Sequence, residues 1–193
     1  MHLCAQKDST SALSESSDIN WMTWDNIEVA MAIKPKKIFV IIEIDTIPIC
    51  AKMHATTLKD TVIEYILNND VYALKLDAKS RDTINFVNVE FTYNERTKYH
   101  DLAAGLQGGQ MFYPFVVILG EDKARLKGQK GFQTIQYLSN LLMYYVDDRH
   151  LEASGPVQFG TRYQCKNPNH PHNRLRMQYQ QRTQRENQNT PNK

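Results

Sequence analysis

Ile38 to Ile44 reads IFVIIEI, and Phe115 to Leu119 reads FVVIL. These two runs constrain the fold more than any other feature of the chain. A nearly continuous apolar run rich in β-branched residues suits a strand buried on both faces, because a strand with one wet face would alternate. Such strands need cover on both sides, and the flanking sequence offers helices. Thr23 can cap a helix through Ile33, with Trp24, Ile27, Val29, Ala30 and Met31 at apolar positions. Pro35 and Lys36-Lys37 end it. Asp45 to Pro48 break the first buried run, and Pro48 is tolerated in the first turn of a helix from about Ile49 to Leu58. Asp60 reads as the N-cap of another helix, which Asn68-Asn69 stop.

The remaining elements follow the same logic. Val71 to Asp77, VYALKLD, alternates and predicts a second strand. Ile84, Phe86, Val89, Phe91 and Tyr93 predict a small β-hairpin. Tyr99 to Leu106 predicts a short helix ended by Gly108-Gly109. Gly120 to Asp122 turn the chain into a fourth strand, Ala124 to Lys127, antiparallel to FVVIL. A final helix runs from Thr134 to Val146, with Ile135, Leu138, Leu141, Leu142 and Tyr145 on one face. The order αβαβ, hairpin, αββα implies an α/β fold, a mixed sheet sandwiched by helices.

Composition divides the chain. The 193 residues fit one ordinary domain plus terminal segments. Residues 1–19 are polar and read as a flexible lead-in, with no apolar stretch of the kind a secretory signal needs. Residues 20–148 are the domain. Residues 149–193 hold eight Lys/Arg, two Asp/Glu, seven Gln and six Asn, with few large aliphatic side chains. That tail is expected to be mostly disordered, because it has too little apolar surface to offset its ordering entropy. Nothing approaches the roughly 18 apolar residues of a membrane span. The three cysteines, Cys4, Cys50 and Cys165, exclude a disulfide framework and a zinc ribbon.

Lys37 to Met53, KIFVIIEIDTIPICAKM, resembles the first buried strand and active-site turn of thioredoxin-like proteins. The segments ATTLKDTVIEYILNND, VYALKLDA and YHDLAAGLQGGQMFYPFVVILGED follow in the order found there, then a Gly and a last helix. The resemblance covers about residues 20–146 and points to the single-domain members, often exported, that carry an inserted hairpin. It implies a thioredoxin-like sheet, and a cis peptide bond at Tyr113-Pro114 facing the turn. Without it the expectation would be trans, since only about 5–6% of X–Pro bonds are cis. It also implies a peptide-binding groove between Ile47, Pro48, Ile49 and Cys50 on one side and Tyr113 and Pro114 on the other, where an extended segment could add along the backbone.

The departures from the pattern bear on chemistry. Ile47 stands where the family places its nucleophilic Cys, and Cys50 is the second Cys of the motif. Ile41 stands where many members bury an Asp, and Thr46 replaces the usual aromatic. The nucleophile must be a thiolate at a helix N-terminus, where the dipole lowers its pKa, and isoleucine can neither attack nor form a disulfide. Two readings follow. The chain is a redox-inactive module that binds a protein or peptide. Alternatively, it is a residual thiol–disulfide oxidoreductase that uses Cys50 alone or with Cys4 or Cys165. For Cys50 itself, a buried small hydrophobe and a working monothiol both remain open.

The other polar constellations carry less. His100-Asp101 has no Ser or Cys partner and reads as structural. Cys165, His170 and His172 fall one ligand short of a closed zinc site, so no metal is expected, and no cofactor is implied. The basic tail suits solubility better than phosphate binding, so a nucleic-acid partner is not expected. The chain shows no export signal, although relatives of this type are often extracytoplasmic.

Overall fold

The computed structural model describes residues 18–152 and 164–188. The elements in chain order are β1 (Trp21–Met22), α1 (Trp24–Ile33), β2 (Ile38–Glu43), α2 (Pro48–Ala55), α3 (Thr61–Asn69), β3 (Tyr72–Asp77), β4 (Ile84–Phe86), β5 (Val89–Phe91), β6 (Tyr93–Asn94), β7 (Tyr99–His100), α4 (Asp101–Gln107), β8 (Phe115–Leu119), β9 (Arg125–Lys130), α5 (Ile135–Val146) and α6 (Pro171–Gln188). The main sheet has the order β1-β3-β2-β8-β9. β3 runs parallel to β1 and β2, while β8 is antiparallel to β2 and β9 to β8. This is the mixed sheet flanked by helices that the sequence implied. No helix among the described residues is long and apolar enough to cross a membrane.

Every residue of β2 is buried, because the two faces of the sheet carry two separate cores. Phe39 and Ile41 face Ile63 and Ile66 of α3 and Leu138 and Leu141 of α5. Val40 and Ile42 face Ile27 of α1 and Leu102 and Leu106 of α4. The helices start where side chains can take up their free N–H groups. Thr23 Oγ1 accepts from Asn26 N at 3.3 Å, Asp60 Oδ1 from Val62 N at 2.9 Å, and Thr134 Oγ1 from Tyr137 N at 3.3 Å. α4 ends at Gly108, whose φ of +71° is a left-handed cap that a side chain would strain.

The insertion between β3 and α4 holds two short antiparallel ribbons, β4–β5 and β6–β7. Phe86 and Val89 pair across a two-residue loop, Val87-Asn88, with φ of +53° and +60°. That is the geometry of a type I′ turn. Asn accepts it readily, but a β-branched residue in the left-handed region is an outlier.

The C-terminal segment corrects the reading from composition. Residues 164–188, expected to be disordered, fold onto the body. Cys165, His170, His172 and Asn173 are all buried. Cys165 N donates to Asn173 Oδ1 at 3.2 Å, and Lys166 N to Asp147 Oδ2 at 2.8 Å. His172 Nε2 lies 2.7 Å from Asn140 Oδ1 on α5, and His170 Nε2 lies 2.9 Å from Asp70 Oδ2 at the end of α3. Counting apolar residues missed this docking because polar side chains supply much of it, each finding a partner on a core already formed. The rest of the expected tail, residues 153–163 and 189–193, and the expected lead-in up to residue 17 lie outside the described residues.

Burial disfavours charge on the His170 ring, but hydrogen bonds to Asp70 and Cys165 outweigh it and push its pKa up to about 9. The His172 N–H points at His170 Nδ1 from 3.1 Å and opposes a proton there. His172 goes the other way. Burial, then the neighbouring His170 and Arg176, hold its pKa down to about 4, while Asp147 works weakly against them.

Two predictions follow from this architecture. An unfolded chain protonates His172 as pH falls through about 6.5, whereas the folded one resists until about 4, so stability present above pH 6.5 is lost across that window. Urea midpoints should fall from pH 6 to pH 5, where His170 is already protonated in folded and unfolded chains, and His172→Gln should flatten that fall. Separately, Val87→Asn should raise stability by about 1 kcal/mol in a denaturation experiment, because the left-handed conformation costs most L-residues about 1–2 kcal/mol.

Candidate functional site

The turn from Asp45 to Cys50 sits at the C-terminal end of β2, where the chain crosses into α2. Ile47 is the N-cap residue of α2, in extended conformation, and its side chain satisfies no backbone N–H. Pro48 takes the first helical position, where its missing N–H costs nothing. Ile47 N donates to Ile44 O at 3.0 Å, and Cys50 N donates to Ile47 O at 3.0 Å, which closes the turn. Of the three tip residues only Pro48 is exposed; Ile47 and Ile49 are half-buried. Ile47 packs against the core under α1 and α4, as does Tyr113. The Tyr113-Pro114 peptide bond is cis.

Cys50 is 1% exposed. Burial pushes its thiol pKa up. A backbone hydrogen bond at Ile44 and the charge of Lys75 oppose the shift, while Glu43 and Asp45 add to it. A thiol kept protonated and out of solvent is a poor nucleophile, whatever the helix dipole contributes. Tyr113 lies close enough to feel Cys50, and burial holds its phenol well above the usual tyrosine range, with Tyr99 adding to the effect. The Tyr113 ring lies 6.2 Å from Tyr99.

Beneath the turn lies a charge cluster that reading the sequence missed. Glu43, the last residue of β2, is 1% exposed. Its carboxylate lies 2.9 Å from Lys75 Nζ and 2.7 Å from His54 Nε2. Lys75 also reaches Asp45 Oδ1 at 3.2 Å, and Trp21 covers the His54 ring at 6.1 Å. Strand alternation puts Glu43 on the same face as Ile41, one pleat nearer the turn. The site therefore has a buried carboxylate, displaced from position 41, which is plain apolar core. The signal was present in the sequence: one acid inside an otherwise apolar run, with a Lys in the paired strand.

The other candidates fall elsewhere. Cys165 is buried beside His170 and Asp70, before the start of β3. Because β2 and β3 are parallel and in register from Ile38–Tyr72 to Glu43–Asp77, Cys165 and Cys50 lie at opposite ends of the sheet. Six strand residues span roughly 20 Å, far beyond the Cα separation of about 4.4–6.8 Å that a disulfide needs. Cys4 lies outside the described residues. His100 is a cap and a brace, with Nδ1 accepting from Leu102 N at 3.2 Å and Nε2 3.0 Å from Asp82 O. Asp101 accepts from Asn94 Nδ2 at 3.0 Å.

No protein-family model matches the sequence, and no curated protein matches it. Solved structures do match in fold. The structure titled "DsbH Oxidoreductase" superposes with a TM-score of 0.50 at 12% identity, covering 74% of this chain and 94% of that one. A thioredoxin from Thermus thermophilus superposes with a TM-score of 0.50 at 14% identity, covering 67% of this chain and 88% of that one. The chain has the thioredoxin-like fold.

The buried thiol generates a direct expectation. In the folded protein at pH 7, Cys50 should react with iodoacetamide more slowly than a free thiol and should react fully after denaturation. Mass spectrometry of the labelled peptide reads the difference. Labelling of native Cys50 faster than free cysteine would contradict the burial argument.

Proposed function

We propose that this protein uses a thioredoxin-like scaffold to bind a protein or peptide segment without exchanging disulfides. One observation carries the reading: the only thiol of the active-site turn, Cys50, is buried and pushed away from ionisation, and the exposed start of α2 carries Pro48 beside Ile47. Disulfide exchange begins with an attacking thiolate, and neither residue can supply one. Ile47 of the turn and Tyr113 pack against the same core, and the apolar character of Ile47, Pro48 and Ile49 suits holding an extended apolar segment.

The test returns the missing sulfur. The unmodified protein should reduce a model disulfide no faster than a simple monothiol. Ile47→Cys should place a thiol at the start of α2, one helical turn before Cys50, and gain dithiol activity, whereas Ile47→Ser should gain none. Reductase activity in the unmodified protein that disappears on Cys50→Ala would overturn the proposal in favour of a monothiol enzyme.

A further inference from the structure

We propose that the groove between the start of α1, the outer edge of β3 and the inserted hairpin is a second docking site, and that its occupant is an extended, positively charged peptide segment. The inference does not rest on the function proposed for the Cys50 turn. β3 is six residues long, but β1 pairs only with Ala73 and Leu74. Among the described residues no strand pairs with the outer edge of β3 from Lys75 to Asp77, although the Asp77 carbonyl is taken by Ser80 N at 3.0 Å, so the open edge is short. A cavity of about 390 Å³ lies there, floored by Trp24, Leu74, Leu76 and Ile84. It meets a second depression of about 490 Å³, with which it shares Asp25 and Asn85, so the groove is elongated along the hairpin.

Three features point to the chemistry of the occupant. Free strand edges bind extended chains through main-chain hydrogen bonds, and the ladder of β3 stops halfway along this groove. Natural edges are often guarded by a lysine, but the Lys75 ammonium is drawn to Glu43 and Asp45. The walls of the two depressions carry six carboxylates against two lysines; Glu28 is paired with Lys123 and Glu121 with Lys37, which leaves Asp25, Asp77, Asp82 and Asp122 in excess. The field along the groove is therefore negative and selects a basic segment. Trp24 supplies an independent sign. It is 7% exposed, and its indole N–H is buried with no acceptor among the described residues. Such a donor is costly to leave unpaired, and a peptide carbonyl in the groove can take it. Alternating apolar and basic side chains match this surface, apolar ones toward Trp24 and Leu76 and basic ones toward Asp25, Asp77 and Asp82.

The probe is an acetylated, amidated pentapeptide of alternating Lys and Leu, with an alternating Glu and Leu peptide beside it, titrated into the full chain. Amide NMR shifts follow the binding. The Lys/Leu peptide should bind saturably, shift the amides of Lys75, Leu76 and Asp77 and the Trp24 indole N–H, and weaken at least tenfold from 50 to 500 mM salt. The Glu/Leu peptide should bind at least tenfold more weakly. The double substitution Asp25→Asn and Asp82→Asn should weaken the Lys/Leu peptide about tenfold, and so should the single exposed change Asp82→Lys. Glu95→Gln, outside the groove, should change nothing. Three results would each overturn the proposal: no saturable binding, equal binding of both peptides, or shifts confined to the Cys50 turn. A dimer in sedimentation whose Lys75–Asp77 amides are protected from hydrogen exchange without peptide would also overturn it.

Discussion

Two-sided burial of β2 is the constraint from which the rest of this structure follows. The strand has no wet face, so helices must lie on both sides, and it has no free edge, because β3 and β8 flank it. Its even and odd residues belong to different cores. α3 and α5 close one, and α1 and α4 close the other. Loss of a large side chain from such a strand leaves a cavity that neither layer can collapse into, the case in which truncation costs most. The chain leaves the strand at one point only, and that point is the turn into α2. The candidate site is thus placed by the core rather than by any residue of the turn itself.

Glu43 is where this constraint meets chemistry. A carboxylate at the end of a fully buried strand cannot stay unpaired, and Lys75 and His54 converge on it from β3 and α2. Only Glu43 of the three is fully buried, so loss of Lys75 or His54 still leaves its carboxylate one partner, and loss of both strands it. The cluster therefore pins α2 to the sheet. It also sets the sign of the field at the turn. Glu43 and Asp45 both oppose a thiolate at Cys50. A reactive cysteine needs a positive setting, and here the anchoring of α2 works against one.

Much of this was legible from residues. The two apolar runs became β2 and β8, and the caps read at Thr23 and Asp60 and the helix start read at Thr134 fall within a residue of the observed starts. Those signals are local and periodic. What could not be read had no period. β1 is two residues long and exists only because Ala73 and Leu74 present an edge to it. β6 and β7 are equally short. The docked segment at 164–188 was hidden by its own composition, since Asn173, His170 and His172 look like solvated residues until Asp70 and Asn140 are placed beside them. Glu43 was hidden in the opposite way, inside a run whose apolar character invited it to be passed over. In the turn, the identities of Ile47 and Cys50 were plain from sequence, but the burial of the thiol and the half-burial of Ile47 needed the packing.

The inserted hairpin ties the two surfaces of this protein together. Phe86 packs on Trp24 with ring centroids 4.7 Å apart, and Phe91 lies 6.5 Å from Phe86, so one side of the insertion leans on the start of α1 and walls the groove. The other side is anchored by His100, whose N–H donates to Ala78 O and whose ring meets Asp82 O. The residue before it, Tyr99, lies against Tyr113, next to the cis peptide bond. The insertion therefore touches the groove through Phe86 and Tyr113 through Tyr99. Lys75 makes the second link, since it lines the groove and ends on Glu43 beneath the turn. An insertion with only half-buried strands adds little to the core. It places aromatic side chains at both ends and leaves an acidic, apolar-floored channel between them, the surface on which the proposed docking rests.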